Sequence, residues 1–191
     1  MDKRIMKTKR ALKDAMLKLL REKNLESITA TEICQEALTS RNTFYNYYSD
    51  KYALLQDCFA DLAADVEQRF DVYQSENNPD CGLSQAFQNL VDAFLDAEVD
   101  YDAIKVLSSF DLGSMYYRFL VQSLAKLEEK YERRYNSLLA PGYDYKQINA
   151  FVVLGFWGFI HANPSLNREE IRAQTKRLAA DLAQSKCFVQ R

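Results

Sequence analysis

Apolar residues recur along this chain at helical spacing almost from end to end. Leu12, Ala15, Met16, Leu19 and Leu20 fall at i, i+3, i+4, i+7 and i+8, which predicts a first helix over residues 7–23 with one buried side. Thr29 followed by Glu32 reads as a capping box, and Ile28 and Ile33 are placed to close a hydrophobic staple around it. The short second helix they open ends near Ala37. Ser40 is the next N-cap, starting a third helix that reaches Tyr48. Only Leu38 and Thr39 separate the two, so they must meet at a sharp angle. Ser49 or Asp50 caps a fourth helix, which carries Leu54, Leu55, Phe59 and Leu62 inward and continues to residue 73.

The stretch from Ser75 to Gly82 (SENNPDCG) is the most loop-like of the chain. Helices are expected after it over residues 83–99, 102–110, 114–139, 144–162 and 168–185. Tyr116, Leu120, Leu124, Leu127, Tyr131, Tyr135 and Leu138 form one long apolar seam along the third of these. Pro141-Gly142 and Asn163-Pro164 punctuate the rest, and Asn167 with Glu170 three residues on caps the last helix. The fold class is therefore all-α, with a three-helix head over residues 1–50 and a helical bundle over residues 51–191.

Composition agrees. Five glycines and three prolines are too few for the turns of a β-sandwich and suit long helices. No run reaches the roughly 18 apolar residues that a bilayer crossing needs. The longest, Phe151 to Ala162, suits a buried core or interface helix. The basic N-terminus lacks the apolar stretch and cleavage site of a signal peptide. Cys34, Cys58, Cys81 and Cys187 lie far apart, as free thiols of a reducing cytoplasm would. The net charge of −2 hides an asymmetry: residues 1–51 carry 11 Lys/Arg against 7 Asp/Glu, and the remainder 14 against 20. A basic head on an acidic body suggests an end that meets a polyanion, although a solvated helix face would look the same by charge alone.

Residues 28–51 (ITATEICQEALTSRNTFYNYYSDK) carry the chemistry. Two short helices joined by a tight turn describe a helix-turn-helix, whose second helix enters the major groove of DNA. On that second helix Phe44 and Tyr48 face inward. Arg41 and Tyr45 form a separate row flanked by Asn42, Thr43, Asn46 and Tyr47, so the outward face is polar and aromatic and free of acidic charge. Arg reads guanine, Asn reads adenine, a Thr methyl meets the thymine methyl, and Tyr hydroxyls suit phosphate. A face selected only for solubility would instead carry Glu and Lys. Lys51, at the start of the fourth helix, could share a phosphate with the helix's free backbone N–H groups.

In this stretch the sequence resembles the DNA-binding domain of the tetracycline-repressor (TetR/AcrR) regulators. Ile28, Thr29, Ile33, Ala37, Ser40, Thr43, Phe44, Tyr45, Lys51 and Leu54 fall in register with that family's pattern, over about residues 8–60. The resemblance implies that Thr29, Arg41, Asn42, Thr43, Tyr45, Tyr47 and Lys51 occupy positions that touch double-stranded DNA. Three residues depart from the pattern. Leu38 stands where the family has its turn glycine, and a positive φ there would cost about 1–2 kcal/mol. Cys34 replaces a common alanine. Tyr48 replaces phenylalanine, so its hydroxyl must find water or a partner.

The resemblance also implies a regulatory and dimerisation body. The helices over 144–162 and 168–185 would pair with their symmetry mates in a homodimer reading a palindromic operator. Gly155 and Gly158, three apart on an apolar helix, would allow a second helix to approach, with Val152, Phe156 and Phe159 supplying burial; packing within one subunit would use the same glycines. Phe94, Phe110, Tyr116, Tyr117, Phe119, Phe151 and Trp157 are candidates to line a pocket for a small hydrophobic or aromatic effector, against the plainer reading of core aromatics. His161, the only histidine, has no metal-ligating neighbours at suitable spacing and reads as a polar group at a helix end or interface. Neither a cofactor motif nor a catalytic constellation is present. The expected function is a ligand-responsive repressor rather than an enzyme. The alternative is a co-regulator of the same fold that acts through a protein partner without touching DNA.

Overall fold

The computed structural model describes residues 3–80, 82–97, 129–133, 135–163, 165–185 and 187. Among these the regular structure is helical: α1 (Lys3–Glu22), a 3₁₀ turn (Leu25–Ser27), α2 (Ala30–Glu36), α3 (Arg41–Tyr45), α4 (Lys51–Asn77), α5 (Leu83–Leu95), α6 (Tyr145–Ala162) and α7 (Arg168–Ala183). Residues 129–133 are also helical. The helices expected over 102–110 and over most of 114–139 lie outside the described residues. No described helix is long and apolar enough to cross a membrane, and Cys34, Cys58 and Cys187 are free thiols.

The chain divides into two compact units, with the change at Leu62 and Ala63 inside α4. In the first, the predicted face of α1 is the buried one. Leu12, Ala15, Met16, Leu19 and Leu20 pack with Leu25, Ile28, Ile33, Phe44, Leu54, Leu55 and Phe59 into one apolar core. Asp50 caps α4, its carboxylate accepting from the Ala53 N–H at 2.8 Å.

The second unit packs α5, α6, α7 and the later part of α4 around a core richer in aromatic rings. Phe70 meets Tyr131 edge-on at 5.2 Å, and Tyr135 stacks on Tyr145 at 5.9 Å. Arg172 of α7 pairs with Asp92 and, at 2.6 Å, with Asp96, both at the end of α5. The capping box of Asn167 and Glu170 opens α7.

Several boundaries differ from expectation: α1 begins four residues earlier, at Lys3, and α5 ends at Leu95. α4 runs to Asn77, so the loop is shorter than composition suggested. The buried Asn78 closes it, accepting from the Gly82 N–H at 2.7 Å and donating to the Gly82 carbonyl at 3.0 Å. α3 is only five residues long, ending on the C-cap Asn46.

Candidate nucleic-acid interface

Each helix of the helix-turn-helix starts at a cap that the sequence prescribes. The Thr29 hydroxyl accepts from the Glu32 N–H while the Glu32 carboxylate accepts from the Thr29 N–H at 2.9 Å, which starts α2. Lys23 also bonds Glu32, and together with Thr29 it holds that carboxyl at about 2, well below its ordinary value. Ser40 caps α3, accepting from the Thr43 N–H at 3.1 Å, and its hydroxyl lies 2.8 Å from that of Thr43.

Between the caps lies the turn. The Leu38 N–H bonds the Gln35 carbonyl at 3.2 Å, and the Thr39 N–H bonds the Cys34 carbonyl at 2.9 Å. That pair of bonds is a Schellman motif, which needs a left-handed residue at its centre and usually takes glycine. Leu38 takes the position itself, with φ of 51° and 94 % of its surface exposed. The turn is therefore not remodelled by the missing glycine. The leucine accepts the strain.

Phe44, fully buried, anchors α3 to the core, with Tyr48 beside it at 5.9 Å. Arg41, Asn42, Tyr45 and Asn46 are exposed, and Thr43 and Tyr47 are half-buried. The Arg41 guanidinium lies 5.9 Å from the centre of the Tyr45 ring, a cation–π contact that pre-orders two outward groups. The structure thus brings the six α3-segment candidates together on one small polar and aromatic surface. Thr29 is exposed at the start of α2 with its hydroxyl engaged in the cap. Lys51 is employed differently from expectation: its ammonium donates to the carbonyls of Leu25 (2.7 Å), Glu26 (3.0 Å) and Ile28 (3.0 Å), securing the 3₁₀ turn to α4.

Sequence reasoning missed Asp57, which receives the Tyr48 hydroxyl at 2.6 Å. Its only sequence signal was the extra hydroxyl of Tyr48, which required a partner nine residues away that local pattern does not name.

In the second unit the candidates separate. Phe94 is buried and meets Phe156 edge-on at 5.5 Å, and Val152 packs against the tyrosine core. These two α6 residues face inward, although they were expected at an interface, and Phe159 is half-buried. Phe151, expected in a pocket, is instead 67 % exposed. Gly155 and Gly158 are exposed, and a Cβ built on either would meet nothing within 4 Å among the described residues. Phe110, Tyr116, Tyr117 and Phe119 lie outside the described residues, as do the side chains of Trp157 and His161.

Comparison with known proteins gives concordant findings. A sequence model of bacterial regulatory proteins of the tetR family matches residues 12–58. An uncharacterized HTH-type transcriptional regulator of Bacillus subtilis (strain 168) is 37 % identical over 51 residues, which span 27 % of this chain but only 13 % of that protein's length. A Syntrophomonas wolfei protein described as a TetR-family transcriptional regulator has a similar fold, with a TM-score of 0.76 at 18 % identity over 96 % of this chain and 98 % of the other. The secondary repressor of the MexAB-OprM multidrug efflux pump in Pseudomonas aeruginosa gives 0.70 at 18 % identity over 97 % and 98 %. A TetR-family transcriptional repressor of Thermus thermophilus, solved in complex with lauroyl-CoA, gives 0.64 at 16 % identity over 96 % of each chain. At such identities the likeness is one of fold.

Proposed function

We propose that this chain, whose residues 12–58 match the model of the tetR family of bacterial regulatory proteins, is a repressor which reads a palindromic operator as a homodimer and releases it on binding an apolar effector. The observation that carries this reading is the outward face of α3. Arg41, Asn42, Tyr45 and Asn46 stand exposed on a helix pinned from behind by Phe44, with no carboxylate between Arg41 and Ser49. That set supplies donors for guanine and adenine edges and hydroxyls for phosphate, without the acids that would repel DNA.

Dimerisation through α6 and α7 is supported by the exposed Phe151 and Leu154, on the same helix as the open glycines, and by the exposed Leu178 of α7. In a two-fold dimer the reading heads address half-sites about 34–36 Å apart. An effector that favoured another separation would lower affinity by selecting that state. The lauroyl-CoA bound to the Thermus thermophilus relative, with its long acyl chain, supports an effector that has an apolar part.

Selection of binding sites from a random duplex library tests the reading, with an Arg41→Ala/Tyr45→Ala protein as control. A palindrome recovered by the wild type and ignored by the control is expected. Weak, sequence-blind binding by both would remove α3 as a reader and leave the co-regulator that acts through a protein partner.

A further inference from the structure

A helix of five residues cannot hold itself: it lies below the length at which helix formation is self-sustaining, so neighbouring contacts set the pitch of α3. Its N-terminal end is held by the Ser40 cap and its middle by Phe44. The segment after it ends on Tyr48, which is 5 % exposed. An apolar ring there would give burial without direction. A hydroxyl adds a directed bond.

That bond ends in a small junction of charge. Asp57 of α4 accepts from the Tyr48 hydroxyl at 2.6 Å and pairs with two lysines of α1, Lys13 at 3.2 Å and Lys9 at 3.6 Å. Lys9 also lies 5.3 Å from the centre of the Tyr48 ring, so one cation serves both partners. Lys13 reaches on to Asp61. Burial raises the Asp57 carboxyl, but the Tyr48 hydroxyl and the two ammoniums outweigh it and leave the group below the usual carboxylate range. Burial and the facing carboxylate push the Tyr48 phenol up. At neutral pH a neutral phenol therefore donates to an ionised carboxylate, which is the stronger kind of hydrogen bond.

We propose that the Tyr48–Asp57 bond, backed by Lys13 and Lys9, sets the pitch at which α3 presents its outward face, making Tyr48 and Asp57 positioning residues for base discrimination. The inference rests on the reading of DNA by α3. It concerns how well bases are told apart, not how tightly phosphate is held, because neither residue is on the exposed face.

The test compares full-length wild type, Tyr48→Phe, Asp57→Ala and the double variant on two duplexes, the one wild type selects and one of random sequence. Each single change should lower the preference for the selected duplex about tenfold, the scale of one hydrogen bond to a charged group. The double variant should lose no more than Asp57→Ala alone, since the bond that Tyr48→Phe removes is already absent there. Amide hydrogen exchange over residues 41–48 should accelerate in Tyr48→Phe without DNA, while α1 stays protected. Unchanged preference and protection in Tyr48→Phe would overturn the proposal. So would additive losses, or equal losses on both duplexes, which would mark a merely weakened head. A wild type with no preference would overturn the DNA reading as well, whereas a wild-type preference that Tyr48→Phe retains would overturn this proposal alone.

Discussion

The two units of this chain dispose their polar and apolar groups in opposite ways. The head, residues 3–62, fills its core with aliphatic side chains, Phe44 and Phe59, and among its described residues Tyr48 contributes the notable polar group inside. Its exposed apolar residues, Met6 and Leu38, stand singly. The second unit buries Gln74, Asn78, Asn89, Asn149 and Thr175 and stacks tyrosines between its helices. It also leaves Phe151, Leu154 and Leu178 outside. Buried amides are ordinarily hydrogen-bonded, yet the Asn149 Nδ2 and Gln74 Nε2 groups find no partner among the described residues. Among its described residues the head thus encloses its apolar side chains and keeps the outward face of α3 polar. The body has apolar surface left to cover.

The strongest blow to that contrast would fall on the body's outer face. Phe151→Lys should weaken self-association by about 2 kcal/mol, the scale of an interface hot spot, while leaving helical content intact because the ring makes little use of its own chain. Sedimentation equilibrium should show wild-type dimers and variant monomers at one concentration. Dimers in both would remove α6 from the interface and make the exposed ring an ordinary surface residue.

A smaller change sharpens the picture of the head. Leu38→Gly relieves the left-handed strain and removes an exposed apolar side chain, so stability should rise by about 1 kcal/mol. Urea unfolding would register it as a higher midpoint at unchanged slope. A lower midpoint would show that the leucine is held by contacts worth more than its strain.

The smallest effect is on the acid side. Glu32 is held at about 2 in the folded chain against an ordinary 4.5, so its contribution is present above 4.5 and is lost as pH falls from there toward 2. Thermal melting at neutral pH and at about pH 3 should show a shallower acid decline in Glu32→Gln than in wild type. Equal declines would assign the acid sensitivity to the other paired carboxylates, Asp57 and Asp96.

Legibility divides along the same line. The caps of α2, α3 and α7 were readable because each joins residues three apart, so composition within one turn determines them. The inward set of α1 and Phe44 was readable because their helices are apolar on one side only. α6 offered no such guide: FVVLGFWGFI is apolar at every position apart from its glycines, so periodicity could not say that Val152 and Phe156 turn inward and Phe151 outward. Bonds between distant residues were equally hidden. Lys9, Lys13, Tyr48 and Asp57 meet only because α1, α4 and the segment after α3 pack together, and the carbonyls that hold Lys51 lie 23 to 26 residues before it.

The attachment of Lys51 also fixes what that residue can be. One nitrogen sends three N–H bonds to three carbonyls around it, using a tetrahedral ammonium to the full. A guanidinium keeps the charge but spreads its donors in a plane over several nitrogens, and cannot converge on such a tripod. Even one methyl group on the nitrogen would delete a leg. At this position the shape of the donor, rather than its charge, is the requirement.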